Sequence, residues 1–232
     1  MKKVLFGALI ATLVTAAPAR AQDDKLVHVN IGGGFTTPLS DIKDEFGTGG
    51  NFAIGVEINP KPTFGFQVEY AYNKLAGGDH TVNFCDTNPC VTPPKPTLIE
   101  SHHNMQYIDF NGVARMGGAS KVKGYGIGGV GTYYRAVSLT TPGVGYATIC
   151  DPWWYVCYPA LVPVDQIIGD RSSWDMGINF GGGVTFQLGE SAQFYVETRW
   201  HYIWGPEITN PATGDKLKAN GQYLPVTFGF RF

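Results

Sequence analysis

The sequence predicts an all-β fold, an eight-stranded antiparallel up-and-down barrel, and three observations carry that reading. Eight separate segments of the 232-residue chain read as strands, and in all but the glycine-rich fifth apolar residues alternate with polar ones, giving one apolar and one polar face. The connections between these segments alternate long and short, as in a meander whose two ends differ. The chain closes on a two-faced strand in which Leu224, Val226, Phe228, Phe230 and Phe232 take every second position, with Tyr223, Thr227, Gly229 and Arg231 between them. A water-soluble barrel keeps its polar faces outward. A transmembrane barrel does the reverse, with lipid-facing and lumen-facing residues in alternation.

The N-terminus supplies an export signal. Lys2 and Lys3 precede an apolar run over residues 4–17, followed by Ala19-Arg20-Ala21. This is a secretory signal peptide, residues 1–21, cleaved before Gln22; its apolar run is shorter than the ~20 residues that a spanning helix needs. No cysteine follows the run, so a lipoprotein anchor is not indicated, and residues 22–232 form one barrel domain. No other stretch is long and apolar enough for a membrane helix. The mean hydropathy of −0.06 fits alternating faces that average out. With 17 basic and 19 acidic side chains and a pI near 6.2, nothing suggests a nucleic-acid surface. The 31 glycines suit tight strand packing, and 13% aromatic residues suit membrane interfaces.

The first strand spans residues 26–36, with Val27, Val29, Ile31 and Phe35 on one side and His28, Asn30 and Thr36 on the other. Residues 40–46 open with Ser40 as an N-cap and predict one or two helical turns before the glycines of 47–50. The second strand, 51–59, directs Phe52, Ile54, Val56 and Ile58 outward, and Pro60-Lys61-Pro62 turns the chain. The third, 63–74, alternates most regularly: Phe64, Phe66, Val68, Tyr70 and Tyr72 oppose Gln67, Glu69 and Asn73. A long loop is expected over 75–104. The fourth strand, 105–116, sets Ile108, Phe110 and Met116 against Asp109, Asn111 and Arg115.

The fifth strand, 123–137, is so rich in glycine that its facing is ambiguous. A second long loop is expected over 138–171. The sixth strand, 172–188, sets Trp174, Met176, Ile178, Phe180, Val184 and Phe186 against Asp175, Asn179, Thr185 and Gln187. The seventh, 193–204, sets Phe194, Val196, Trp200, Tyr202 and Trp204 against Glu197, Arg199 and His201. A loop over 205–221 leads to the closing strand. An even strand number puts both termini on the short-turn side, and the apolar faces then carry two aromatic bands. Tyr70, Tyr72, Trp174, Trp200, Tyr202 and Trp204 form the outer one, with Phe64, Phe186, Phe194 and Phe228 to Phe232 at the opposite rim.

On these residues the closing strand resembles the C-terminal recognition signal of bacterial outer-membrane barrels, which ends in Phe. The resemblance implies insertion by the barrel assembly machinery through Leu224, Val226, Phe228, Phe230 and Phe232. Over its mature length the chain resembles the small outer-membrane barrel superfamily that includes the OmpA transmembrane region and OmpX, the outer membrane protein beta-barrel domain. That implies a monomeric, non-enzymatic surface protein of a Gram-negative-type cell outer membrane, bathed in lipid and lipopolysaccharide and needing no cofactor. The peptidoglycan-binding domain that follows the OmpA barrel is absent from this sequence.

With apolar faces outward, the lumen receives Glu57, Glu69, Asp109, Asp175 and Glu197 together with Arg115, Arg135, Arg199 and Arg231. An eight-stranded barrel is only wide enough for side chains to fill it, so these charges are expected to pair as an ionic plug. A small pore, or a conduit for apolar solutes as in the OmpW family, is the alternative. Cys85 and Cys90 fall in one expected external loop, Cys150 and Cys157 in another. Oxidation is permitted there, and of three possible connectivities the two local disulfides each close a short loop. A metal site from Cys85, Cys90, His80, His102 and His103 is the weaker reading because Cys-x4-Cys is a loose spacing. Ser101 and His102 raise a third function, lipid A modification, although adjacent strand residues point to opposite faces. Gly126-Ile127-Gly128-Gly129-Val130-Gly131 matches G-x-G-x-x-G but lies inside a strand, where it cannot open a helix onto a phosphate. Trp153-Trp154-Tyr155, between two cysteines, is a candidate surface for an extracellular protein or other ligand.

Overall fold

The computed structural model describes residues 26–84, 95–116, 121–151, 156–189, 192–209 and 214–232. Eight strands close a ring: β1 (Val27–Leu39), β2 (Phe46–Lys61), β3 (Phe64–Gly77), β4 (Lys95–Arg115), β5 (Val122–Asp151), β6 (Val156–Gln187), β7 (Gln193–Trp204) and β8 (Gly221–Arg231). Each pairs antiparallel with its sequence neighbours, and β8 returns to β1 with Arg231 opposite Asn30 and Gln222 opposite Leu39. The closing seam extends to the last residue, since Phe232 exchanges backbone hydrogen bonds of 3.0 and 3.1 Å with Val29. Residues 1–21, expected to be a signal peptide, lie outside the described residues, as do Cys85, Cys90, Trp153, Trp154 and Tyr155.

Facing follows the parity of the sequence. Glu57, Asp109 and His201 are fully buried inside the ring, whereas Phe66, Phe110, Phe180 and Trp174 are between 57% and 68% exposed on its outside. In water each such side chain would forgo roughly 1.5–3 kcal/mol of burial, and these four alone would offset on the order of 10 kcal/mol. That equals the whole stability of an ordinary domain, so the outer wall is made for hydrocarbon. The periplasmic aromatic band is continuous across three strands: Phe186 packs on Phe194 at 6.2 Å and Phe194 on Phe230 at 5.8 Å. At the outer band Trp200, Tyr202 and Trp204 run up β7 at ring separations of 5.7 Å, and Tyr134 meets Trp174 at 5.1 Å.

The facing of the fifth strand, ambiguous in the sequence, is definite in the ring. Tyr125, Ile127, Tyr133 and Arg135 point inward, and Gly126, Gly128 and Val130 lie on the lipid side.

Three expectations require correction at the outer end. The loop expected over 75–104 is largely strand. β3 reaches Gly77, a short strand Asp79–Phe84 continues it beyond Gly78, and both pair with β4. The loop expected over 138–171 is a long ribbon, because β5 and β6 stay paired from Ser138 opposite Asp170 to Asp151 opposite Val156. Beyond the barrel a ribbon has no lumen and no lipid, so period-2 alternation disappears while the backbone ladder persists. Pro142, Pro159 and Pro163 fit there because each ribbon strand leaves one edge unpaired. The expected helical turn is a 3-10 helix, Ser40–Asp44, but Leu39 takes the N-cap position and makes no side-chain cap. Ser40 has φ 57°, and the glycines of 47–50 belong to β2 rather than to a turn. Gly49 is obligatory at the irregularity there, since a Cβ would lie 1.9 Å from the Lys74 carbonyl oxygen.

Candidate functional site

The inward side chains form three levels. At the periplasmic level Glu57 on β2 is held between Arg115 on β4 and Arg231 on β8. Arg231 reaches Glu57 at 3.1 Å, donates to Asn30 Oδ1 at 2.8 Å and lies 5.2 Å from the Tyr125 ring. Arg115 also donates to Asn59 Oδ1 at 2.7 Å. Two cations meet one carboxylate here.

The middle level inverts that ratio. Arg199 on β7 bonds Glu69 on β3, pairs with Glu197 at 2.7 Å and lies 3.7 Å from Asp109 on β4. In the ring order β3 and β7 stand four strands apart by either route, so the Arg199–Glu69 pair crosses the full diameter of the lumen. Around it Asn179 donates to both Asp109 and Asn111 at 2.9 Å, Gln67 donates to Glu69 at 3.1 Å, and Tyr125 donates to Glu197 at 2.8 Å. Tyr133 shares a 2.9 Å hydrogen bond with His201. A carboxylate taken from water costs several kcal/mol, which pairing must offset; three carboxylates on one guanidinium draw further donors from Gln67, Tyr125 and Asn179.

The third level is largely apolar and was not foreseen. Leu75, Met105, Tyr107, Tyr133, Ile203 and Tyr223 are buried inside the ring, with Ile42 and Phe46 packed on them from the 3-10 segment and the start of β2. Tyr223 on β8 and His103 on β4 approach to 3.4 Å, again between strands four apart in the ring, and Phe46 stacks edge-on against His103 at 4.8 Å. Arg135 grips Asp175 at 2.6 and 2.9 Å and ties the loop before β8 to the wall through the Ala219 carbonyl at 2.8 Å. Sequence parity already held the missing signal: Met105, Tyr107 and Asp109 alternate on one strand, as do Tyr125, Tyr133 and Arg135 on another.

Glycine makes room for the inward tyrosines. A Cβ at Gly32 would meet the Tyr195 hydroxyl at 2.5 Å, one at Gly177 the Tyr133 ring at 2.7 Å, and one at Gly183 the Tyr125 hydroxyl at 2.6 Å. Each ring lies over a bare patch of neighbouring strand.

Outside the lumen, Ser101 Oγ accepts from Gly78 N at 2.9 Å and donates to Gly78 O at 3.0 Å, stapling the break between β3 and its continuation. His102 instead meets Thr140 at 3.3 Å, so the two residues do not form a nucleophile–base pair. Among the described residues no cluster of three or more His, Cys, Asp or Glu side chains could hold a metal. Cys150 lies directly opposite Cys157 at the end of the β5–β6 ribbon, and none of the described cysteines is free. Leu224, Val226, Phe228, Phe230 and Phe232 line the outward face of the closing strand.

A closed eight-strand ring, apolar without and charged within, defines an outer-membrane β-barrel. The chain belongs to the family described as outer membrane protein beta-barrel domain, whose model matches residues 6–232. It is similar in fold to a major outer membrane protein of Thermus thermophilus, at 12% identity and TM-score 0.51, over 89% of this chain and 97% of that one. Neisserial surface protein A aligns at 14% identity and TM-score 0.44, covering 88% and 95% of the two chains. Ail, the attachment invasion locus protein of Yersinia pestis, aligns at 13% and 0.42, covering 89% and 97%. No curated protein sequence matches the chain. The protein is a Gram-negative outer-membrane protein, its apolar outer wall facing lipid.

Proposed function

We propose that the protein, after removal of residues 1–21, is a non-enzymatic barrel with a plugged lumen that acts at the cell surface through its outer hairpins. The observation that carries this reading is the double crossing of the lumen. Arg199–Glu69 and Tyr223–His103 each join strands on opposite sides of the ring, and Ile42 with Phe46 covers the upper one. Side chains joined across the diameter leave no water column between them.

Function then resides outside the wall, where β5 and β6 carry a ribbon whose end holds Cys150 opposite Cys157. A disulfide there closes a short loop around Trp153, Trp154 and Tyr155, which serve as the anchor for an extracellular protein or other ligand; Cys85 and Cys90 form the second local pair. The barrel is a monomer inserted by the assembly machinery through its closing strand. Swelling of proteoliposomes in small neutral solutes tests the closed lumen. Rates equal to those of empty vesicles are expected, and rates that rise with protein content overturn the reading.

Transport of small solutes is the second reading, favoured by one observation: the middle level has three carboxylates to one arginine, an electronegative waist suited to cations.

A further inference from the structure

The outer wall is not uniformly ridged. On β3, β4 and β5 a depression of about 300 Å³ is lined by Phe66, Val68, Phe110, Gly112, Gly128 and Val130. Its floor exists because Gly112 and Gly128 lie directly opposite each other on the lipid side, while Phe66 pairs with Gly112 and forms one wall. Phe110 and Val130, also paired with each other, form the upper edge. The lining is almost wholly apolar and half-open to the surroundings.

The depth of the groove is fixed by its neighbours. Phe66 stands two residues along β3 from Phe64 of the periplasmic aromatic band, and Lys61 pairs with Phe64 at the turn below. At about 3.3 Å per residue Phe66, two residues above the Phe64–Lys61 pair, lies on the order of 7 Å along the strand from the level of Lys61, well inside the periplasmic half of the ~30 Å hydrocarbon core. The groove therefore faces the acyl chains of the periplasmic leaflet, which is built of glycerophospholipid.

Charge at the rim beneath selects among those lipids. The β2–β3 turn carries Lys61 and the β4–β5 turn carries Lys121, both exposed, and neither turn contains an acidic residue; the remaining short turn carries Glu190. Lysine stems of this length reach the headgroup level while their ammonium groups stay in water.

We propose that this groove and its cationic rim seat one anionic glycerophospholipid, an acyl chain over Gly112 and Gly128 and the phosphate beside Lys61 or Lys121. A bare hydrocarbon surface would hold all phospholipids alike. The seat predicts preference by headgroup and by groove shape together.

Native mass spectrometry of the folded barrel, released from micelles containing equal dioleoyl-phosphatidylglycerol and dioleoyl-phosphatidylethanolamine, tests it. The wild type should retain one phosphatidylglycerol several-fold more often than phosphatidylethanolamine. Gly112→Leu fills the floor, and its Cβ would make only ordinary contact, 3.8 Å from the Phe64 ring. It should lose most lipid retention of either kind. The Lys61→Gln/Lys121→Gln variant, which leaves the wall untouched, should keep retention but lose the headgroup preference. Heat-modifiable electrophoretic mobility verifies that each variant is folded. Equal retention of the two lipids by the wild type overturns the proposal, as does full retention in Gly112→Leu. A dimer that disappears in Gly112→Leu would also overturn it, assigning the groove to a second copy of the chain.

Discussion

Arg199 is the residue on which the interior depends. It is 3% exposed, with Glu69, Glu197 and Asp109 around it. Removing one partner of a buried pair leaves uncompensated charge and costs ~3–5 kcal/mol, so Arg199→Ala should lower the unfolding free energy of the barrel in lipid vesicles by an amount of that order, read as a lower urea midpoint. Arg199→Lys should recover only part, because an ammonium cannot span to Glu69 and Glu197 with the geometry of a planar fork. An unchanged midpoint in Arg199→Ala would mean that the carboxylates are satisfied by other groups. Gly32 makes a second prediction at this scale. Its hydrogen faces the Tyr195 hydroxyl, so Gly32→Ala should cost about 1–3 kcal/mol by overpacking. Tyr195→Phe should relieve part of that loss in a double-mutant cycle, and strict additivity would contradict the contact.

Among the elements, the closing strand and the outer ribbon carry separable predictions. Phe232 joins Val29 through both of its backbone polar groups and ends the outward aromatic run. Its deletion should reduce the fraction of protein recovered in the outer membrane, and undiminished levels would remove it from the insertion signal. The ribbon should give slow amide exchange over 138–151 and 156–171, as a paired ladder does and a loop does not. The small hairpin of Glu207–Thr209 with Lys216–Lys218 has a charge switch. Lys216, and after it Lys218, hold the exposed Glu207 carboxyl below its ordinary range. A group whose pKa is depressed by folding contributes above its unfolded value of 4.5, and the contribution vanishes as pH falls through the folded value. The Glu207–Lys216 contact, followed by NMR, should therefore be intact at neutral pH and lost in acid.

Seen as a whole molecule, the barrel was legible wherever a strand separates two different solvents. Phe66 beside Gln67 and Trp200 beside Arg199 declare lipid on one side and lumen on the other, so strand number, facing and the two aromatic bands follow from parity. Legibility ended where the two sides cease to differ. The ribbon at Asp165, Gln166 and Ile167 is exposed on both faces, so the same backbone pairing leaves no alternation to read. The lumen was half legible for a related reason. Charge marked Glu69 and Arg199, but Met105, Tyr107 and Ile203 are apolar residues turned inward, and only their spacing from Asp109 and Arg199 reveals them. The distribution of charge by height, two arginines on one glutamate below and three carboxylates on one arginine above, arises from strand stagger and ring closure, which no single segment contains.

The central claim, that side chains crossing the ring close the lumen, is tested most directly by single-channel recording of the refolded protein in a planar bilayer, with Arg199→Ala and Arg199→Ala/Tyr223→Ala recorded beside it. Arg199→Ala/Tyr223→Ala should open cation-selective events, since three carboxylates would then face an uncrossed lumen, and the wild type should be silent, as should Arg199→Ala alone while Tyr223–His103 still crosses above. Steady wild-type conductance, altered in size by the same substitutions, would contradict the plug and make the lumen the working part of the protein.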